Sequence, residues 1–387
     1  DGAWVDGEFI KADYTAALPG SPTVVDGVVY IGGPDGFVNA VDVESGKELW
    51  KFEIDGVVSG AVSIVDGKAM FGEIGRPTGA FDGTVDLTAI GAPSQEEQLE
   101  SGPKYFALDP KTGAVIWSVP GYGYTWVSAV HHDGVMFIGD MNGNVYGVDV
   151  ETGRKLWSYY TATDTPQEDK AHDHHKHGWP PGVYCMPVAD EENFYVGSWS
   201  GFYFAFDQKT GKMRWRTQTG WPETGGGLPD SAAPTLHKDH LYVQKRGFIL
   251  AAINIHSGEI DWEWKAPPGH LQNGTLAALG NSVYASSGRR VTYIPYVSYI
   301  YRFADVENGS EEIWKHRDGG GLTAPVVTDS QLIFGSTTGV YLTSLDPATG
   351  ALKWRLYTGG EMTENVPAIY GNMAFNVSKN GWLNAVK

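Results

Sequence analysis

Hydrophobic and polar positions follow one pattern that recurs along the chain. In the unit "PTVVDGVVYIGGPDGFVNAVDVESGKELW", which ends at Trp50, two short apolar runs flank an Asp-Gly pair. That arrangement is typical of a tight hairpin turn. The next segment, "FVNAVDV", alternates and so places its apolar side chains on one face of a strand. A Ser-Gly turn and a last strand with a tryptophan complete the unit. Each unit is therefore predicted to form four antiparallel strands.

The unit is repeated to the end of the chain, and most copies close on a tryptophan. The spacing of about 40 residues between Trp117 and Trp157 suits one blade of a β-propeller. A residue that recurs once per unit is expected to pack between neighbouring blades rather than to bind a ligand. The terminal tryptophans are Trp50, Trp117, Trp157, Trp215, Trp262, Trp314 and Trp354.

The two ends of the chain decide the number of blades. After Trp354 the segment "VPAIYGNMAFNVSKNGWLNAVK" supplies three strands, and the N-terminal "WVDGEFIKADY" can supply a fourth. We therefore predict an all-β fold, an eight-bladed propeller of four-stranded antiparallel blades, closed by pairing of the N- and C-terminal segments. Seven blades are the alternative if the ends do not pair. One domain, 1–387, is predicted, with insertions at about 73–104 and 160–183.

Composition narrows the classes of partner. A net charge of −18 over 387 residues argues against nucleic acid and against an anionic membrane surface. No apolar run is long enough to span a membrane as a helix. The single cysteine, Cys185, cannot form an internal disulfide and is expected to be a small buried side chain.

The unit "VYxGxxDGxxxAxDxxTGxxxW" resembles the repeat of the PQQ-like, or quinoprotein alcohol dehydrogenase-like, β-propellers. The resemblance implies the propeller and a periplasmic or extracellular address. That family includes enzymes with pyrroloquinoline quinone (PQQ) and calcium. It also includes cofactor-free propellers of the outer-membrane assembly lipoprotein type, to which this chain is closest in length and plan. The enzymes usually carry a disulfide between adjacent cysteines, which this chain cannot make, so we expect no bound PQQ.

Function is expected where the blades differ. In the family's plan, the links between blades and the turns between second and third strands share one face, around the mouth of the central channel. In this chain those segments gather aromatic, acidic and basic residues, which suit a ligand or a protein contact. The candidates for this loop-rich face are Trp126, Trp179, Trp199, Trp221, Asp230, Arg246, His270, Glu364 and Lys379.

The longest link contains "AHDHHKHGW", with His172, His174, His175 and His177. Neutral imidazole binds transition metals, although this spacing matches no metal signature. A solvated loop, a metal site (Cu, Zn, Fe or Ca) and a pH- or partner-sensitive contact therefore stay open. A second pair of histidines precedes an Asp-Gly turn and is predicted to lie on the surface; these are His131 and His132.

These observations favour an extracytoplasmic binding or scaffold propeller, periplasmic or extracellular. It is predicted to hold a protein or polymer partner on its loop-rich face, without PQQ, nucleic acid or membrane insertion. A lipid anchor upstream of the sequence stays open. One alternative is an enzyme, either a divergent quinoprotein or a metal-dependent oxidoreductase with a His-rich site. Another is a propeller that binds carbohydrate or another polymer. The residues lean towards a protein that is not an enzyme.

Overall fold

The structure is a computed structural model. It describes residues 2–5, 8–11, 20–33, 35–56, 58, 60–73, 104–120, 128–140, 143–161, 182–183, 185–198, 200–219, 233–245, 249–267, 276–286, 298–306, 309–318, 323–336, 340–360, 366–378 and 382–387. These residues form strands and turns, with no helix among them. The part of the chain so described therefore contains no helix that is long and apolar enough to cross a membrane.

The strands form antiparallel sheets in which neighbours in sequence pair with one another. A short N-terminal hairpin of β1 (Gly2–Val5) and β2 (Glu8–Lys11) precedes the first blade. Blade 1 consists of β3 (Thr23–Val25), β4 (Val28–Gly32), β5 (Phe37–Asp42) and β6 (Glu48–Glu53). Blade 2 consists of β7 (Ser63–Val65), β8 (Lys68–Gly72), β9 (Lys104–Leu108) and β10 (Val115–Pro120). Blade 3 consists of β11 (Val130–His132), β12 (Val135–Gly139), β13 (Asn144–Asp149) and β14 (Lys155–Tyr160). Blade 4 consists of β15 (Val188–Ala189), β16 (Asn193–Ser198), β17 (Phe202–Asp207) and β18 (Met213–Gln218).

The second half of the chain repeats the same order. Blade 5 consists of β19 (Thr235–His237), β20 (His240–Lys245), β21 (Ile249–Asn254) and β22 (Ile260–Lys265). Blade 6 consists of β23 (Leu276–Leu279), β24 (Ser282–Ser286), β25 (Ser298–Val306) and β26 (Gly309–Asp318). Blade 7 consists of β27 (Val326–Val327), β28 (Leu332–Gly335), β29 (Tyr341–Leu345) and β30 (Leu352–Tyr357). Blade 8 has three strands among the described residues, namely β31 (Ala368–Tyr370), β32 (Met373–Val377) and β33 (Leu383–Val386).

The sheets are arranged as an eight-bladed propeller, which confirms the predicted fold class. The first strands of neighbouring blades lie beside one another at the centre, as β3 does with both β7 and β31. Blade 8 packs against blade 1 through Phe375, Val29 and Val43, which closes the ring. The N-terminal strands pair with each other, Trp4 lying opposite Phe9, rather than with β33.

The core lies between the blades, because each sheet buries both faces against its neighbours. Met70 of blade 2, for example, packs with Met136 and Tyr146 of blade 3. Full burial of such a side chain stabilises the fold by about 1.5–3 kcal/mol. Cys185 is buried, as expected, between Val183 and the aromatic side chains of blade 4.

The recurrent tryptophans join consecutive blades, which confirms their predicted role in packing. The indole of Trp50 donates to the Pro110 carbonyl at 2.8 Å, and that of Trp215 donates to the Ile255 carbonyl at 2.7 Å. Each ring also covers a turn glycine of the next blade. A Cβ added to Gly258 would lie 2.8 Å from Cγ of Trp215. Glycine is therefore required at position 258 for two reasons, namely its positive φ of 75° and the tryptophan ring that packs on it.

The histidine pair before the third Asp-Gly turn corrects one prediction. His131 and His132 lie in β11, the innermost strand of blade 3, and both are half-buried rather than exposed. His132 Nδ1 is 3.0 Å from Oε1 of Gln208 in blade 4, and burial lowers the pKa of His131. The innermost strand of a blade lies between the central channel and the two flanking blades. Its side chains are therefore half-buried by those blades, although a turn follows directly in the sequence.

Candidate functional site: the link face

The antiparallel order of the strands divides the propeller into two faces. Each link between blades and each turn between a second and a third strand lies on one face, which we call the link face. The turns between first and second strands, and between third and fourth strands, lie on the other, which we call the turn face. The described strand ends that flank the segments predicted to carry function lie on the link face.

The turn face is built from repeated structural turns. The Asp149 carboxylate accepts hydrogen bonds from the hydroxyl and the amide of Thr152, at 2.6 and 2.8 Å. Asp207 does the same with Thr210. The threonine hydroxyl holds the pKa of each of these aspartates below its usual value. Their carboxylates are thus committed to the turns.

The residues predicted to form the site lie outside the described part of the chain, so their placement stays a prediction. They are His172, His174, His175 and His177 of the His-rich link, and Trp126, Trp179, Trp199, Trp221, Asp230, Arg246, His270, Glu364 and Lys379 of the loop-rich face. The residues on either side of these segments are described, so the points at which each segment leaves and rejoins the propeller are known.

The His-rich link starts and finishes at blade 3. At its start, the Thr161 amide and hydroxyl both donate to the Gly143 carbonyl at 2.8 Å, and the hydroxyl is 2.9 Å from Oγ of Ser198. At its end, the Val183 amide donates to the Asp140 carbonyl at 2.8 Å. The Val183 side chain fills the space above Gly139, where a Cβ would lie 2.3 Å from it. Both ends of the link are therefore fixed on the same blade.

A buried carboxylate lies beneath this pair of anchors. Asp140 is fully buried and accepts hydrogen bonds from the Asn144 amide at 2.8 Å and from the Tyr146 hydroxyl at 2.5 Å. Burial and the Asp140 charge raise the pKa of the neighbouring Tyr160. This arrangement holds together the two ends of the turn between β12 and β13, to which Thr161 and Val183 are hydrogen-bonded.

Glu73 holds the base of the insertion between β8 and β9. Its backbone pairs with that of Lys104, and its Oε1 accepts a hydrogen bond from the Lys104 amide at 2.9 Å. The side chain is only 3% exposed, and its Oε2 has no hydrogen-bond partner within the described ranges. Burial raises the pKa of the Glu73 carboxyl, an effect that the Lys104 amide opposes. Glu73 is thus a buried acid that joins the two ends of this insertion.

Large exposed aromatic side chains concentrate on the link face. Tyr160 and Tyr357 end the outer strands of blades 3 and 7, Tyr341 begins the third strand of blade 7, and Trp382 precedes that of blade 8. Tyr357 is 62% exposed and Trp382 is 50% exposed. Tyr370, on the turn face, is the other exposed aromatic side chain in the described ranges.

Blade 7 fixes its two exposed tyrosines as a unit. The rings of Tyr341 and Tyr357 meet edge to face with centroids 6.1 Å apart. The guanidinium of Arg355 lies 5.7 Å from the Tyr341 centroid, and it also pairs with Asp318 of blade 6 at 2.9 Å. Rigid aromatic side chains lose little conformational entropy on binding, so this pair suits a protein contact.

These four aromatic residues were not among the predicted site residues. A signal was present in the repeat, since the position of Tyr160 and Tyr357 is occupied by Glu53, Gln218 and Lys265 in other blades. An aromatic residue at a position that is otherwise polar indicates an exposed ring. Among the described residues there is no group of three or more acidic, histidine or cysteine side chains able to hold a metal.

Comparison with known families gives one family match. The model of the outer membrane protein assembly factor BamB family matches residues 87–172, 167–295 and 298–387.

Curated relatives fall into assembly factors and enzymes. The chain is 24% identical over 373 residues to the tetrathionate hydrolase of Acidithiobacillus ferrooxidans, covering 84% of this chain and 70% of that protein. It is 24% identical over 326 residues to BamB of Moranella endobia, covering 82% and 72%. It is 26% identical over 200 residues to the quinohemoprotein alcohol dehydrogenase of Comamonas testosteroni, covering 48% and 26%. The chain thus matches about a quarter of the length of that dehydrogenase.

Solved structures agree on the fold. BamB from Moraxella catarrhalis superposes with a TM-score of 0.70 at 20% identity and covers 97% of both chains. The quinohemoprotein alcohol dehydrogenase of Comamonas testosteroni gives a TM-score of 0.70 at 14% identity and covers 93% of this chain and 70% of the enzyme. At these identities the likeness shows the propeller and nothing further.

Proposed function

The chain belongs to the family of the outer membrane protein assembly factor BamB, and from this premise we propose that it is a periplasmic scaffold that binds a protein partner through its link face, without PQQ. The observation that carries the proposal is the set of exposed aromatic side chains on that face. Exposed, rigid aromatic groups are the residues that most often anchor protein interfaces. The net charge of −18 favours a partner with a basic surface.

The relatives support the BamB-like scaffold more strongly than a quinohemoprotein enzyme. The BamB family model matches in three segments from residue 87 to the end of the chain. The quinohemoprotein relatives of Comamonas testosteroni and Pseudomonas putida are matched over 26% and 34% of their own lengths.

The test uses a photo-crosslinking amino acid at Tyr357, with Tyr370 as the matched control. Both are exposed tyrosines, but Tyr370 is 39% exposed on the turn face. In a periplasmic extract of the native source, position 357 is expected to cross-link one protein that position 370 does not. Equal labelling from both positions, or none from position 357, would refute a partner site on the link face.

Binding to the identified partner then measures the contribution of the aromatic pair. Replacement of an anchoring tyrosine by alanine typically costs about 2 kcal/mol or more, which is roughly a 30-fold loss of affinity. Tyr357→Ala is expected to weaken binding by that amount, while Tyr370→Ala leaves it unchanged. Exposed tyrosines also suit carbohydrate, and tryptophan fluorescence with glycans separates that alternative from a protein partner.

An enzyme is the second candidate, favoured by the hydrolase relative that aligns over 84% of this chain. Hydrolysis of tetrathionate is the direct assay for that relationship. Absorbance after reconstitution with PQQ and calcium tests a divergent quinoprotein. Elemental mass spectrometry of untagged protein tests a metal at the His-rich link, with His174→Ala and His175→Ala as the variants that would abolish it.

A further inference from the structure

In three blades a cation of the outer strand lies over an aromatic ring of the third strand at the link face. The cation directly follows the terminal tryptophan, and the ring lies three residues before the residue opposite that tryptophan. The pairs are Lys51 over Phe37, Arg216 over Phe202 and Arg355 over Tyr341, with the cation 3.6, 4.9 and 5.7 Å from the ring centroid. The face of an aromatic ring is electronegative and attracts a cation at such distances. The fold therefore uses one cation and one ring as a repeated contact on this face.

Blade 7 adds a second ring to this contact. The residue opposite the third-strand ring is Glu53 in blade 1 and Gln218 in blade 4, but it is Tyr357 in blade 7. Tyr357 meets Tyr341 edge to face, with the ring planes at 70°. It is 62% exposed, so much of its ring surface is in contact with solvent. Blade 7 thus presents a ring beyond the one that its own arginine covers.

The charges around the two tyrosines favour a cation as the ligand. Arg355 is paired with Asp318 at 2.9 Å, and its Nε donates to the Thr343 hydroxyl at 3.2 Å. That ion pair is neutral as a unit, so its guanidinium repels an incoming cation only weakly. The chain as a whole carries a net charge of −18, which attracts basic groups and repels acidic ones. A basic side chain thus meets an electronegative ring in an attractive field.

We propose, resting on the partner site of the proposed function, that Tyr357 receives an arginine side chain of the protein partner. The guanidinium lies over the Tyr357 ring as that of Arg355 lies over Tyr341. Arginine fits better than lysine, because its planar guanidinium stacks on an aromatic face and is less strongly hydrated than an ammonium group. The ion pair with Asp318 and the contact between the rings hold the tyrosines in place, so little conformational entropy is lost on binding.

A series of phenylalanine analogues at position 357 tests the contact between the cation and the ring. Tyr357 is replaced by phenylalanine and then by phenylalanine with one, two and three ring fluorines. Each fluorine withdraws electron density from the ring face and so weakens its attraction for a cation, whereas the shape and apolar area of the ring change little. Because the position is exposed, the variants are expected to fold, which circular dichroism checks.

The probe is a fluorescently labelled peptide of alternating arginine and glycine, and fluorescence anisotropy gives its affinity at physiological salt. The same peptide with citrulline in place of arginine is the uncharged control. The matched control position is Tyr370, an exposed tyrosine on the turn face. The same series at position 370 accounts for general attraction between a basic peptide and the acidic protein.

The affinity for the arginine peptide is expected to fall with each fluorine at position 357. The loss over the whole series is expected to be roughly two- to fivefold, which corresponds to the ~0.5–1 kcal/mol of an exposed contact of this kind. The citrulline peptide is expected to bind more weakly and to show no such trend. The series at position 370 is expected to leave the affinity for the arginine peptide unchanged.

A flat series at position 357 overturns the proposal, and so does an equal trend at positions 357 and 370. An equal trend for the arginine and citrulline peptides also overturns it, because the contact is then apolar rather than cationic. Failure of the partner site gives a different result. A partner cross-linked at position 357 together with a flat series overturns the arginine contact alone, whereas a graded series without a cross-linked partner overturns the partner site and leaves only a ring that binds cations.

Discussion

Replacement of Gly258 by alanine tests whether the tryptophan and glycine contacts between blades hold the propeller together. Gly258 has a φ of 75°, and an added Cβ would lie 2.8 Å from Cγ and 2.9 Å from Cβ of Trp215. Both atoms belong to the root of the tryptophan side chain, which cannot swing aside. Gly134 is the matched control, since its φ is 77° and nothing lies within 4 Å of an added Cβ.

The expected cost separates into two parts. A left-handed backbone costs a residue with a Cβ about 1–2 kcal/mol, offset by about 0.4–1 kcal/mol from the reduced entropy of the unfolded chain. Gly134→Ala should therefore lower the free energy of unfolding by about 1 kcal/mol. Overpacking against Trp215 adds about 1–3 kcal/mol at Gly258. Gly258→Ala should thus lower the free energy of unfolding by about 2–4 kcal/mol.

The assay is denaturation by urea at 25 °C, followed by tryptophan fluorescence and by circular dichroism. A common slope for both variants licenses the comparison of midpoints. The midpoint for Gly258→Ala should fall well below that for Gly134→Ala. Equal midpoints would refute the reasoning, because backbone strain would then account for the whole effect and the contact with Trp215 for none of it.

Three further changes follow from single contacts. Trp215→Phe keeps the ring but leaves the Ile255 carbonyl without its indole donor, and calorimetry should show a loss of about 1–3 kcal/mol. Glu73→Gln removes a buried carboxyl whose pKa is raised, and the wild type loses stability as pH rises through that pKa. The variant should therefore be more stable than the wild type by about 1 kcal/mol at pH 7 and should lose that advantage near pH 3. A constant difference in stability across pH would contradict the burial of a charge. Thr152→Val removes the hydroxyl that lowers the pKa of Asp149. The stability that this hydroxyl contributes is present above the pKa of Asp149 in the unfolded chain and is lost as pH falls through its pKa in the folded protein. Urea midpoints should therefore show the variant less stable by about 0.5 kcal/mol at pH 7 and equal to the wild type near pH 2.

The pattern of the repeat was sufficient to predict the blades. Apolar alternation, Asp-Gly pairs and Thr-Gly turns act within a few residues of the chain, and those are the interactions that set strands and tight turns. The role of Trp50 and Trp215 was also predictable, because a side chain that recurs once per blade must meet the same neighbour each time. The burial of His131 was not, since it depends on what blade 2 places beside β11.

The exposed aromatic side chains show the limit more clearly. Tyr357 and Tyr203 both lie in aromatic-rich strands, yet Tyr357 is 62% exposed and Tyr203 is fully buried. The sequence around each tyrosine predicts the face of the strand on which its ring lies. It does not predict how far the neighbouring blade extends along that strand and covers the ring. The extent of that cover is set by packing between residues that are far apart in the chain.

By itself the sequence determined the repeats, the strands and the turns, because these follow from local pattern and from the antiparallel order. Only the tertiary structure decided how far each aromatic residue at the rim is exposed and that the carboxylates of Asp140 and Glu73 are buried. Those properties belong to contacts between blades, and a contact between blades exists only once the ring has formed.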